Sequence, residues 1–365
     1  MKPVSLRARQ TGAAILSAML TVTLVATFAA AALWQQWRSV EVETAERARV
    51  QSSWILTGAL DWSRLILRED GRAGGADHLA EPWAVPLNEA RLSSFLAVDK
   101  NASETEREAF LSGQVLDLQG KLNVNNLIEG NSLSATALAS FSRLFELLGL
   151  PKEQLLTLAS GLLEAVRDPT PPVAGATPNP NAMPASTGAA TAAASGSSAP
   201  AAPGTPPTPV AAPVATALSP LMPERVEQLA WLGLPRETLA VLMPYITLLP
   251  QRTAVNINTA SAEVIYASTP GLDMANAQRL VAARERKHFS TLAEANQQIG
   301  GTEGKFSDAQ HAVATRFFEV TGQLRLEQTL VQERSVLQRD GLQVRTLWRD
   351  RGVVISRPPA TGGRP

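Results

Sequence analysis

Residues 12–34 read GAAILSAMLTVTLVATFAAAALW, and no charge interrupts the run from Ala13 to Trp34. As a helix these residues span about 33 Å, enough to cross the hydrocarbon core of a bilayer. The polar leader ahead of them carries Lys2, Arg7 and Arg9. By the positive-inside rule that leader stays in the cytoplasm, and everything after Trp34 lies across the membrane. The stretch predicts a single-pass membrane protein with its bulk outside the cytoplasm.

Downstream, no proline occurs between Trp34 and Arg68, and Gly58 is the one glycine there. Ala48, Ser52, Ile55, Ala59, Trp62 and Ile66 recur at four-three spacing, which predicts one helical face packed on a head domain. Upstream, two processing sites compete. A secretory signal peptide would end in small residues, as at Ala29 to Ala32, but the apolar run goes on without a break into Trp34 and Trp37. Gly12 fits better. It stands between a basic leader and the first apolar residue, and the region resembles a type IV pilin-like precursor, which implies cleavage by prepilin peptidase between Gly12 and Ala13. Pilin-like subunits usually carry Glu at the fifth mature position, where it neutralises a neighbour's terminal amine; this chain has Ser17 there.

The 33 basic and 33 acidic side chains balance, so net charge argues for no nucleic-acid surface. Without cysteine, disulfides and thiolate zinc sites are excluded. His78, His288 and His311 are too scattered to suggest a metal cluster. No nucleophile, base and oxyanion donor can be assembled from the motifs, which argues against an enzyme.

Along the chain, Gly71 to Asp77 (GRAGGAD) reads as a loop and Glu81 to Pro86 (EPWAVP) as an extended, turn-rich piece. Arg91 to Val98 reads as a short strand, and Ser103 to Glu106 as a capping box opening a helix to Leu111. Gln114 to Leu118 alternates like a strand, Gln119-Gly120 turns, and Lys121 to Asn125 is expected as a second arm. Ser134 to Val166 is helical with a break at Gly149 to Pro151. The stretch from Pro169 to Pro223 has no charged residue and is rich in Pro, Ala, Thr, Gly and Ser, the composition of a disordered linker. LGLPKEQLLTL (Leu148 to Leu158) is echoed by LGLPRETLAVL (Leu232 to Leu242), either a helical repeat or two helices sharing one start signal.

Residues 255–295 (VNINTASAEVIYASTPGLDMANAQRLVAARERKHFSTLAEA) resemble a helix-hairpin-helix unit: Asn258 or Thr259 caps one helix, Pro270-Gly271 turns, and Asp273 caps the next. DNA-binding hairpins carry glycine on both sides of an apolar residue. Asp273 replaces the second, a carboxylate ill suited to facing phosphate, although Arg279, Arg284, Arg286 and Lys287 follow. The ending predicts antiparallel strands at 316–324, 329–339 and 343–349, with Asp340-Gly341 as a hairpin turn.

Three separated segments, GQVLDLQGKLNVNNL, LMPYITLLPQRTAVNINTASAEVI and the ending FFEVTGQLRLEQTLVQERSVLQRDGLQVRTLWRDRG, together resemble the minor pseudopilin K family of type II secretion systems, as does the missing Glu at Ser17. The resemblance implies an α+β fold: a pilin-like N-terminal membrane-spanning helix and antiparallel sheet, with a large inserted all-α domain containing the SAM-like, helix-hairpin-helix-like unit. It divides the chain into a prepilin leader (1–12), a transmembrane segment (13–34), a pilin-like helix and first part of the head (35–125), two parts of a helical insertion (126–168 and 224–315) around the linker (169–223), head strands (316–350) and a disordered tail (351–365). It also implies a bacterial inner-membrane protein that caps the secretion pseudopilus, with minor pseudopilins I and J, prepilin peptidase and the inner membrane as partners. Ala13, Ile15, Leu16, Ser17, Leu20 and Leu24 are the expected assembly face. Family members often have an acidic segment whose carboxylates could hold calcium; here only Asp168 precedes the uncharged linker, so calcium rests on the resemblance alone, no ligands are assigned, and no other cofactor is expected. The alternative is a membrane-tethered helix-hairpin-helix DNA-binding protein.

Overall fold

The computed structural model describes residues 11–92, 109–167, 220–299, 304–326 and 329–354. Helix α1, Thr11–Ala73, contains the whole apolar stretch and runs on unbroken, as the absence of proline allows. Strands β1 (Leu87–Arg91) and β2 (Ala109–Asp117) follow. The chain then leaves for a long insertion and returns as β3 (Phe317–Leu326), β4 (Thr329–Asp340) and β5 (Gln343–Val354). These five strands form an antiparallel meander in spatial order β1-β2-β3-β4-β5. Gly341, at φ 60°, supplies the left-handed residue of the β4–β5 turn.

The C-terminal part of α1 packs on one face of the sheet. Leu56 joins Leu111, Leu324 and Val331 in one apolar cluster, and Leu60 and Leu67 join Trp83, Phe318 and Leu337 in a second. The buried stripe is thus Ser52, Leu56, Leu60 and Leu67, turned slightly from the expected face. Ala48, Ile55, Ala59 and Ile66 flank it, and Trp62 is half exposed at its edge. Apolar periodicity finds a helix's wet and dry sides, but the partner sheet decides which ridge sits deepest.

The insertion holds α2 (Ala135–Leu147), α3 (Lys152–Arg167), α4 (Arg236–Leu242), α5 (Ala262–Ser268), α6 (Met274–Arg286) and α7 (Leu292–Gln297). One apolar core joins both sides of the 168–219 gap: Leu122, Phe141 and Leu158 pack with Leu232, Ile265 and Phe306. The echoed segments behave alike. Gly149 and Gly233 both take left-handed backbone, at φ 67° and 86°, before the starts of α3 and α4. Thr238 Oγ1 donates to Gln154 Oε1 at 2.7 Å, so the third helical position of one copy touches that of the other.

Several expectations need correction. Lys121 to Asn125 is no second hairpin arm: Leu122 and Asn123 pair in parallel with Ile246 and Thr247. Asn123 Nδ2 donates to Gln251 O and Asn126 Nδ2 to Thr253 O, each at 2.7 Å. These partners are too distant in sequence for local alternation to reveal, and they tie residues 122–126 to the segment 246–253. Ala109–Leu111 belongs to β2 rather than to a helix end. Residues 351–354, expected in the tail, belong to β5, which pairs with β4 as far as Leu330 opposite Val354; the rest of the expected tail lies outside the described residues. The short strand or extended segment expected at 91–98 has only Arg91 in β1, with Leu92 buried just after it; residues 93–98, the 103–106 capping box and nearly all of the linker lie outside the described residues.

Candidate assembly helix and its junctions with the head

Among the described residues α1 is the one helix long and apolar enough to cross a membrane. Ile15, Leu16, Leu20 and Leu24 are exposed along it, from 53% to 70%. Gly12 and Ala13 lie in its first turn. Ser17 Oγ donates to the Ala14 carbonyl at 2.9 Å, so its hydroxyl is satisfied within the helix and brings no charge into the apolar segment. Exposure continues through Trp34, Trp37, Val40, Val42, Val50 and Trp54. Residues 13–47 of α1 are all exposed, and from Ala48 onward one side of the helix is welded to the head.

Two polar junctions make that weld. In the first, Glu333 of β4, with its side chain only 4% exposed, accepts from two guanidinium groups on β5. Arg349 reaches it through Nε, and Arg351 through Nε and Nη2 at 2.8 and 2.6 Å. The same arginines donate onward to α1, Arg349 to Thr57 Oγ1 at 2.8 Å and Arg351 to Ser53 Oγ at 2.7 Å. Ser53 and Thr57 are one turn apart, so both hydroxyls face β5. Arg64 adds two bonds to the Val344 carbonyl, at 2.9 and 3.2 Å.

The second junction lies where α1 ends. Arg339 of β4 pairs with Asp70 and with Asp77, and donates to the Thr315 carbonyl at 3.0 Å. Asp77 Oδ2 accepts the Thr315 N–H at 2.6 Å. Burial pushes both carboxyls up, while burial's effect on Arg339 is outweighed by the two carboxylates, which raise its pKa. Asp70, Asp77 and Glu81 bring carboxylate oxygens within 4.8 Å of one another, yet Arg339 already balances two of these charges. The cluster therefore reads as an ion-pair knot tying helix end, sheet and insertion exit together.

Nearby, Asp117 sits where the chain enters the insertion. Its Oδ2 accepts from Asn256 Nδ2 at 2.9 Å and Thr259 Oγ1 at 2.6 Å, and its Oδ1 accepts from Gln119 N–H at 2.7 Å. Leu118, Leu249, Phe317 and Val336 pack beside it across the same boundary.

The hairpin has the expected shape but the wrong surroundings for phosphate. Ser261, not Asn258 or Thr259, caps α5; Gly271 turns at φ 78°; and Asp273 Oδ1 caps α6 through Asn276 N–H at 2.6 Å. Arg143 of α2 binds the turn carbonyls of Thr269 and Leu272, and Gly304 packs so closely that a Cβ there would lie 3.0 Å from Leu272. Arg284 turns inward to the Ile257 carbonyl, and burial lowers its pKa to about 10. Asn258 and Thr259 serve as internal hydrogen-bonding groups instead. A covered turn and an engaged arginine do not support the DNA-binding alternative.

Sequence reasoning missed the clamp arginines and the meeting of two histidines. His78, after α1, and His288, after α6, stack with ring centroids 3.7 Å apart and an interplanar angle of 12°. His311 is buried elsewhere, against Ser268 and Thr269.

Comparison with known proteins agrees with this architecture. Residues 255–315 match the family model described as type II secretion system (T2SS), protein K, and residues 120–251 match the model of that family's first domain. The chain is 27% identical to the type II secretion system protein K of Pseudomonas aeruginosa strain PAO1, over 98% of both chains. It is similar in fold, with a TM-score of 0.56 and 14% identity, to a chain of the crystal structure of the GspK-GspI-GspJ complex from the enterotoxigenic Escherichia coli type 2 secretion system, covering 84% of this chain and 98% of that one.

Proposed function

The chain belongs to the type II secretion system protein K family and is a minor pseudopilin; from that premise we propose that it caps the tip of the secretion pseudopilus and starts its assembly with minor pseudopilins I and J. The observation that carries this reading is α1 itself: a 63-residue helix, uncovered over its apolar part and fused over the rest to a head enlarged by the insertion. Neighbouring subunits would cover the face bearing Ala13, Ile15, Leu16, Ser17, Leu20 and Leu24. Without the amine-pairing Glu, Ser17 suits a subunit with nothing stacked above it. The chain is then held in the inner membrane with its N-terminus cytoplasmic and its head periplasmic, and prepilin peptidase cuts between Gly12 and Ala13. The role is one of assembly rather than catalysis, in support of export across the outer membrane.

N-terminal sequencing of the protein from native membranes, with co-purification of I and J, tests the reading. A mature start at Ala13 and a three-subunit complex are expected. A start after Ala32, or a chain purified without either partner, sinks it.

A further inference from the structure

One of the seams between the head and the insertion is the loop of residues 74–81, which follows α1. Asp77 N–H donates to Val313 O at 2.9 Å, and Asp77 O accepts from Asn256 Nδ2 at 3.1 Å. On its outer side His78 stacks on His288, one ring from each unit, both half-buried. His78 Nδ1 accepts the Ala80 N–H at 3.2 Å, so in the neutral pair this nitrogen carries no proton and helps hold the loop's shape.

We propose that the stacked His78–His288 pair is a pH-sensitive latch between the head and the helical insertion, closed while at least one ring is neutral and released when both are protonated. A single positive ring is tolerated in the stack, because the carboxylates of Glu81 and Glu294 lie near and one imidazole face still meets a neutral partner. A second proton puts two like charges at stacking distance, and at His78 it also converts the Nδ1 acceptor into a donor facing Ala80 N–H. The groups that face His288 divide in sign: His78 and Lys287 oppose its protonation, while Glu81 and Glu294 favour it. Both counterweights are engaged elsewhere, Glu81 by His78 N–H at 2.9 Å and Trp83 Nε1–H at 2.7 Å, and Glu294 by Lys287 at 2.8 Å. Burial and His78 together hold the His288 pKa below its usual value. That depressed value means the contact contributes fully above the ordinary imidazole range and is lost as pH falls through the window beneath it.

The chain's three histidines make the test direct, since 13C-histidine labelling of the full protein in detergent micelles yields three ring signals. The His288 signal is expected to titrate below the ordinary imidazole range, and His78→Gln is expected to move it to higher pH. Hydrogen exchange in the 74–81 loop, corrected for intrinsic rates, should rise about tenfold between pH 7 and 5 in the wild type. His288→Phe keeps a stacked ring with no charge and leaves Asp77 in place, so its loop should open less between pH 7 and 5 than that of the wild type. A His288 titration that His78→Gln leaves unchanged, or a loop in the His288→Phe protein that opens on acidification as the wild type does, overturns the proposal.

Discussion

At the scale of single residues, burial decides how the junctions answer acid. His311 is 1% exposed, its Nδ1 takes the Ser307 N–H, and burial lowers its pKa from 6.5 to about 4. The unfolded chain takes up that proton at higher pH than the folded one, so stability is complete above 6.5 and is lost as pH falls to about 4, by roughly 3 kcal/mol. Denaturation of His311→Gln between pH 7 and 4 should lack that slope; a variant as acid-sensitive as the wild type refutes the assignment. Asp117 works with the opposite sign. Burial raises its pKa despite bonds from Thr259 and Asn256, so the folded protein holds the proton more tightly and this residue's own contribution grows as pH falls through the raised value. Little of this was readable from sequence. Asp117 stands at the end of a stretch that alternates like a strand and Asn256 just ahead of an expected helix cap, and the contact between them spans 139 positions.

At the scale of elements, α1 was the most legible feature and its attachment the least. Length, apolarity and a basic leader are local signals, and they predicted the long helix from Gly12 onward. The arginines that hold it lie 292 and 298 positions away, on a strand whose alternation announces only that it is a strand. Removing both, as Arg349→Ala with Arg351→Ala, strands the Glu333 carboxylate in the sheet and should cost about 3–5 kcal/mol, the usual result of breaking a buried pair from one side. Adding Glu333→Gln to that background should recover part of the loss, because it removes the orphaned charge. Thermal unfolding followed by tryptophan fluorescence compares the three proteins. Equal melting for the double variant and the wild type would show that the apolar stripe alone holds the helix. The second arm expected at 121–125 failed for a related reason: its alternation is real, but its partner is Ile246–Thr247 rather than its sequence neighbour.

At the scale of the whole molecule, the α+β class was legible, since the terminal strands and the membrane helix announce themselves, whereas the true limits of the insertion depend on pairings across it. Asp117 faces Phe318, so the strands on either side of the insertion are adjacent sheet partners. Replacing 118–316 with Asn-Gly, so that these two and Phe317 make a three-residue turn between the paired Asp117 and Phe318, should therefore leave a folded helix-and-sheet head. Its melting temperature should be lower, because Leu118 and Leu249 leave the cluster around Phe317 and Val336, and Arg339 loses the Thr315 carbonyl. Circular dichroism and limited proteolysis read the outcome, and a head digested throughout would show that the insertion is part of the folding unit. The closed mouth between β2 and β3 also fixes how load travels. A thrust delivered along α1 enters the sheet at Ser53 and Thr57 and spreads through β5 and β4 without crossing the insertion. The insertion is wired in parallel with the shaft rather than in series, and can change in size or sequence without altering the strut that bears the push.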